Sequence, residues 1–97
     1  MKFDTEKIRV DLLPVKPVLE IAKVFTFGAN KYADRNWEKG LKWGRVYGAA
    51  LRHLFYWFLG EDKDPESGLS HLAHAGCNIM FLLEYANTHP ELDDRPK

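Results

Sequence analysis

Apolar residues recur at steps of three and four along three separate stretches of this chain, and glycine or proline punctuates each boundary between them. Pro14 and Pro17 bracket the start of the first stretch, where proline is tolerated in an opening helical turn. From there Val18, Ile21, Ala22, Phe25, Ala29 and Tyr32 fall on one face, with Gly28 as a weak point. The second stretch runs from about Gly44 to Leu59, with Tyr47, Ala50, Leu51, Leu54 and Phe58 as its core stripe, and Gly60 stops it. Ser67 or Ser70 caps the third, which extends to about Asn87 and carries Leu72, Ala75, Ile79, Leu82 or Leu83, and Ala86. The pattern predicts an all-α fold: one domain over residues 1–97, about three helices joined by ordered loops. Residues 1–13 read as an extended arm and 89–97 as a loose tail. The loop over 33–43 holds Trp37 and Trp43, so it is expected to be packed down.

Three tryptophans, four tyrosines and six phenylalanines are more than three short helices can cover by themselves. A helical bundle completed by oligomerisation, most simply with further copies of itself, is therefore expected. Fourteen basic residues balance fourteen acidic ones, so no global field draws the chain to nucleic acid or an anionic membrane, and neither is expected as a partner. The single cysteine, Cys77, lies in an apolar helical run and points to a reducing compartment. With no membrane-span or signal-peptide pattern, the expected location is the cytoplasm (the host's, if the chain is viral).

The chemistry-bearing residues form stripes beside those assigned to the core. On the third helix His71, His74, Asn78 and Tyr85 share a face, and two histidines one turn apart can hold a metal or donate to phosphate. On the second, Arg45, Ala49, Arg52 and Tyr56 line up, flanked by His53 and Trp57. Antiparallel packing of these helices would bring His53 towards His71 and His74. The acidic loop Gly60–Gly68 could then supply a carboxylate, or Asp64 or Glu66 could orient a histidine from behind. That loop resembles a calcium loop only superficially, since it lacks the glycine and the distal glutamate. Lys31, Tyr32, Asp34, Arg35, Asn36 and Trp37 make a further polar and aromatic patch, suited to phosphates through its cations and to a base through Asn36, Trp37 or Tyr32.

DLLP (Asp11 to Pro14), FGANKYADRNWEKG (Phe27 to Gly40), RHLFYW (Arg52 to Trp57), GEDKDPESG (Gly60 to Gly68) and HLAHAGCNIMFLLE (His71 to Glu84) span nearly the whole chain. Together they resemble the phage-associated dATP/dGTP diphosphohydrolase N-terminal domain family. The resemblance implies hydrolysis of a deoxypurine triphosphate to monophosphate and pyrophosphate, and distant kinship with MazG-like, all-α nucleotide pyrophosphatases. Those enzymes hold magnesium with E-x-x-E on one helix and E-x-x-D on the next. This chain has Arg52-His53 and His71-x-x-His74 instead, and imidazoles suit zinc, manganese or iron better than magnesium.

Two functions follow from these readings. In the first, His53, His71, His74 and Asp64 hold a divalent metal (magnesium, manganese or zinc) and a catalytic water for purine deoxynucleotide hydrolysis. Lys31, Tyr32, Arg35, Asn36, Trp37, Arg52 and Asn78 then bind substrate. In the alternative, a non-catalytic sponge sequesters a host immune signal such as a cyclic oligonucleotide or an ADP-ribose-type messenger.

Overall fold

The computed structural model describes residues 7–97. Three long helices carry the fold: α1 (Val15–Lys31), α2 (Trp43–Phe58) and α3 (His71–Thr88). Short 3-10 turns occupy Val10–Leu12, Asn36–Lys39 and Pro90–Leu92, and no strand occurs among the described residues. The expected all-α class and the three helical segments are therefore present, each within a residue or two of its expected ends. Of the two candidate caps for α3, Ser70 takes the role, its hydroxyl accepting from the N–H groups of Leu72 and Ala73.

α3 is the central element, packing along α2 on one side and against α1 on the other. This placement overturns the expected assignment of its faces. His71 and Tyr85 are the most completely buried large side chains, at 1% and 0% exposure, whereas Leu72, Ile79 and Leu83 point outward. The reason lies in close helix packing. A helix gripped from two sides presents small residues, here Ala73, Ala75 and Cys77, to let its neighbours approach. Val24 of α1 joins Ala73 and Cys77 in the apolar centre, with Ile21, Phe25, Leu69 and Phe81 around it. α1 and α3 come close at Gly76, where a Cβ would lie 2.8 Å from Ile21 Cδ1. On α2, likewise, Val46 and Ala50 are buried, while Tyr47 and Phe58 of the expected core stripe are exposed.

The 33–43 loop is ordered as expected. Trp37 stacks on Phe81 with ring centroids 5.0 Å apart, meets Phe25 edge-on, and its carbonyl accepts from the buried Tyr85 hydroxyl. The segment after α3, expected as loose, is instead docked. His89 Nε2 donates to the Glu38 carbonyl at 2.7 Å and Trp43 Nε1 donates to the His89 carbonyl at 3.2 Å. The Arg95 guanidinium lies 4.9 Å over the Trp43 ring, and Asp94 Oδ1 accepts from Gly44 N–H at 2.8 Å. That last contact caps α2, whose own cap position, Lys42, offers no side-chain acceptor. The expected arm lies partly outside the described residues, in 1–6. Its described part, residues 7–13, is exposed and includes the Val10–Leu12 turn.

Much apolar surface is left open. Val15, Val18 and Leu19 on α1, Phe55, Phe58 and Leu59 at the end of α2, and Leu72, Ile79, Met80 and Leu83 on α3 are all exposed. The radius of gyration is 15.4 Å, against about 12.5 Å for a compact chain of this length. No described helix is long and apolar enough to cross a membrane.

Candidate functional site

The loop from α2 to α3 is built to hold its acids and serines still. Asp64 N–H donates to the Leu69 carbonyl at 2.8 Å, and its Oδ2 accepts from the N–H groups of Glu66 and Ser67. This is the local bonding by which aspartate fixes a turn. Gly60 and Gly68, at φ +102° and +72°, take the left-handed turns at either end. The loop therefore returns its side chains to the start of α3 and the last turns of α2.

There the histidines meet. His53 Nδ1 lies 2.9 Å from His71 Nδ1, and His71 Nε2 lies 2.7 Å from Glu61 Oε1. A carboxylate only accepts, so His71 donates to Glu61 through Nε2, and a single proton occupies the contact between the two Nδ1 atoms. His74 stacks flat on His53 at 4.5 Å between centroids, and its Nε2 is 2.7 Å from the Ser67 hydroxyl. The Tyr56 ring stacks with His71, centroids 5.8 Å apart.

Of the four residues expected to gather, the structure places ligand atoms of His53, Asp64 and His71 within 4.8 Å of one another. His74 stands beside this group, engaged with Ser67. The orienting role expected of Asp64 or Glu66 falls to Glu61, while Glu66 pairs with Lys31. Glu61 and Ser67 carried no distinguishing signal in the sequence, because each meets its histidine through the path of the loop rather than through helical spacing.

Burial, and after it the neighbouring His74, hold the His53 imidazole below the ordinary histidine range, against the pull of Asp64. Burial does the same to His74, again opposed by Asp64. Burial also works against the charge on Asp64, but the Ser67 N–H, the two imidazoles and the Glu66 N–H outweigh it and keep its carboxyl below the usual value. The two cleft histidines are thus disposed to be neutral near pH 7, which suits bases and metal ligands better than cationic phosphate clamps.

His53 and His74 open into a cleft of about 860 Å³ between α1, the 33–37 loop, α2 and α3. Lys31, Tyr32, Arg35, Asn36, Trp37 and Asn78, all expected to bind substrate, line the same cleft. Arg52 does not: it is exposed and lies outside the lining. Trp37, expected to stack a base, already has a ring face against Phe81, whereas Tyr32 is 66% exposed. Arg35 pairs with Glu38 and sits at φ +55°, a left-handed conformation uncommon away from glycine. Cys77, at the cleft floor, is buried and its thiol is pushed up to about 12, so it is no nucleophile near neutral pH.

The donor set of two imidazole nitrogens and one carboxylate does not fit magnesium, which requires an octahedron of hard oxygens.

No solved structure matches the chain. A protein of Salmonella phage PMBT28 named dATP/dGTP diphosphohydrolase is 38% identical over 95 residues, covering 98% of this chain. The chain spans about a third (32%) of that relative's length. The family model described as dATP/dGTP diphosphohydrolase, N-terminal, matches residues 1–95, and with this extent of agreement the chain belongs to that family.

Proposed function

We propose that this chain binds a purine deoxynucleoside triphosphate, dGTP or dATP, in the cleft and hydrolyses it to monophosphate and pyrophosphate. The observation that carries the reading is the convergence of two histidines, two cations, the asparagines Asn36 and Asn78 and an exposed tyrosine on one cavity. The phage relative's name supports the substrate class. In this reading Lys31 and Arg35 turn from their surface partners to the phosphates, Asn36 and Asn78 supply directional hydrogen bonds, and Tyr32 stacks the purine. His74, held by Ser67, takes the proton from a water whose oxygen attacks the α-phosphorus. The bond from that phosphorus to the bridging oxygen breaks, and pyrophosphate departs with the electron pair. His71 acts from beneath by fixing His53, on which His74 is stacked, and the Asp64 carboxylate lies beside the pair.

The same proposal includes self-association, since the open apolar faces of α1, α2 and α3 and the extended dimensions leave the bundle incomplete as a single copy.

The test is pyrophosphate release from dGTP and dATP by the purified chain. Turnover in the wild type, with a loss of about 100-fold or more in His74→Gln, is the expected result. Nucleotide binding without release would overturn the hydrolytic step. Failure of Tyr32→Ala and Arg35→Ala to weaken nucleotide binding would remove the cleft as the binding place.

A further inference from the structure

We infer that His53 Nδ1, His71 Nδ1 and the Asp64 carboxylate form a site for one zinc-class transition-metal ion, with Glu61 holding His71 in the ligating orientation. Three observations converge on it. The two Nδ1 atoms face each other at 2.9 Å around one proton, which is the place a divalent cation would take. An Asp64 oxygen is the third donor, within 4.8 Å of a ring nitrogen of each histidine, and the carboxylate is fixed by backbone N–H groups rather than by a cation. The far nitrogen of the buried His71 is bonded to a carboxylate at 2.7 Å, the arrangement that sets the tautomer and raises the basicity of a metal-bound imidazole.

The geometry needs little adjustment. An ion about 2.1 Å from each donor wants those donors about 3.4 Å apart in a tetrahedron, so the imidazoles open slightly and Asp64 closes. Three protein ligands leave a fourth position, as in catalytic rather than structural zinc sites. His53 also lines the cleft, so that position lies close to where substrate is proposed to sit. Binding of the ion does not depend on the hydrolase reading, although its catalytic use rests on it. The donor chemistry departs from magnesium, so the site is expected to discriminate strongly between the two ions.

The test is metal retention by the whole chain, read independently of nucleotide. Metal-free protein is loaded with zinc, passed through a desalting column and assayed for bound metal, and cobalt is used in parallel for its visible absorption. One zinc per chain, undisturbed by excess magnesium, with a cobalt spectrum of low-symmetry four- or five-coordination, is expected. Glu61→Ala weakens retention by about tenfold or more, Asp64→Asn and His53→Gln weaken it further, and His89→Asn leaves it intact. Asp64→Asn alters an exposed loop rather than the helix packing, so it remains informative should a histidine variant fail to fold, as circular dichroism will show. Zinc lost on desalting from the wild type, or retained equally by Asp64→Asn and His53→Gln, would overturn the site. Zinc retained without any nucleotide turnover would sustain the metal site and sink the hydrolase reading instead.

Discussion

His53 and His71 face one another nitrogen to nitrogen, 2.9 Å apart, from two helices joined by the loop over 59–70. His71 is the buried member, and its second nitrogen holds Glu61 of that loop. The pair therefore ties helix, loop and helix together at one point. Replacing His71 with glutamine strands the His53 nitrogen and shifts the Glu61 contact. The expected cost is about 1–3 kcal/mol, measured as a lower urea midpoint with unchanged slope.

Close approach at Gly76 yields an interaction that a double-mutant cycle can isolate. Gly76→Ala drives a methyl group to 2.8 Å from Ile21 Cδ1 and 3.2 Å from Cγ1. Destabilisation of about 1 kcal/mol or more is expected. In an Ile21→Ala background the clash disappears, and the same substitution should become stabilising by up to about 1 kcal/mol through helix propensity.

The His89 ring gives the docked C-terminal segment a pH dependence. Both ring nitrogens face acceptors, the Glu91 carboxylate at 2.9 Å and the Glu38 carbonyl at 2.7 Å. Glu91 first, and then that carbonyl, hold the imidazole above its ordinary value. Folding thus favours the protonated ring. Its contribution is complete below the unfolded value of about 6.5 and is lost as pH rises through the raised folded value. Exchange protection of the Gly44 amide should fall as pH is taken upward across that window, after correction for intrinsic exchange, and His89→Asn should flatten the response.

Phe58 and Leu59 are 82% and 81% exposed at the end of α2. Light scattering on the eluting protein should show a mass above that of one 11.3 kDa chain. A Phe58→Ser/Leu59→Ser variant is expected to shift towards the monomer while keeping its helical circular dichroism. A monodisperse wild-type monomer would count against self-association.

What was legible in the sequence was local. The 3.6-residue period marked α1, α2 and α3, and Ser70 announced the start of α3, because both signals act within a turn of the helix. The convergence of His53 with His71 followed from helical spacing and antiparallel packing, whereas the meeting of Lys31 through Trp37 with Asn78 in one cleft is set by how α1 and its following loop lie against α3. Burial follows the period only in part: Ala50 and Ala75 of the expected stripes are buried, but the large members beside them are not. In α3 the small side chains face the neighbouring helices, while Leu72, Ile79 and Leu83 turn away. Glu61 on His71, Ser67 on His74 and the docking of His89 through Arg95 are set by loop paths, which no residue period encodes.

The Asp94 carboxylate that accepts from Gly44 N–H lies fifty positions further along the chain. The helix bearing His53 thus begins with a borrowed cap, and a growing chain cannot supply it until almost the whole of the described sequence has left the ribosome. Assembly of the histidine cluster is in this way tied to synthesis of the segment that follows α3. A nascent chain halted before Asp94 would hold every residue of the cleft and yet lack the anchor for one of its walls.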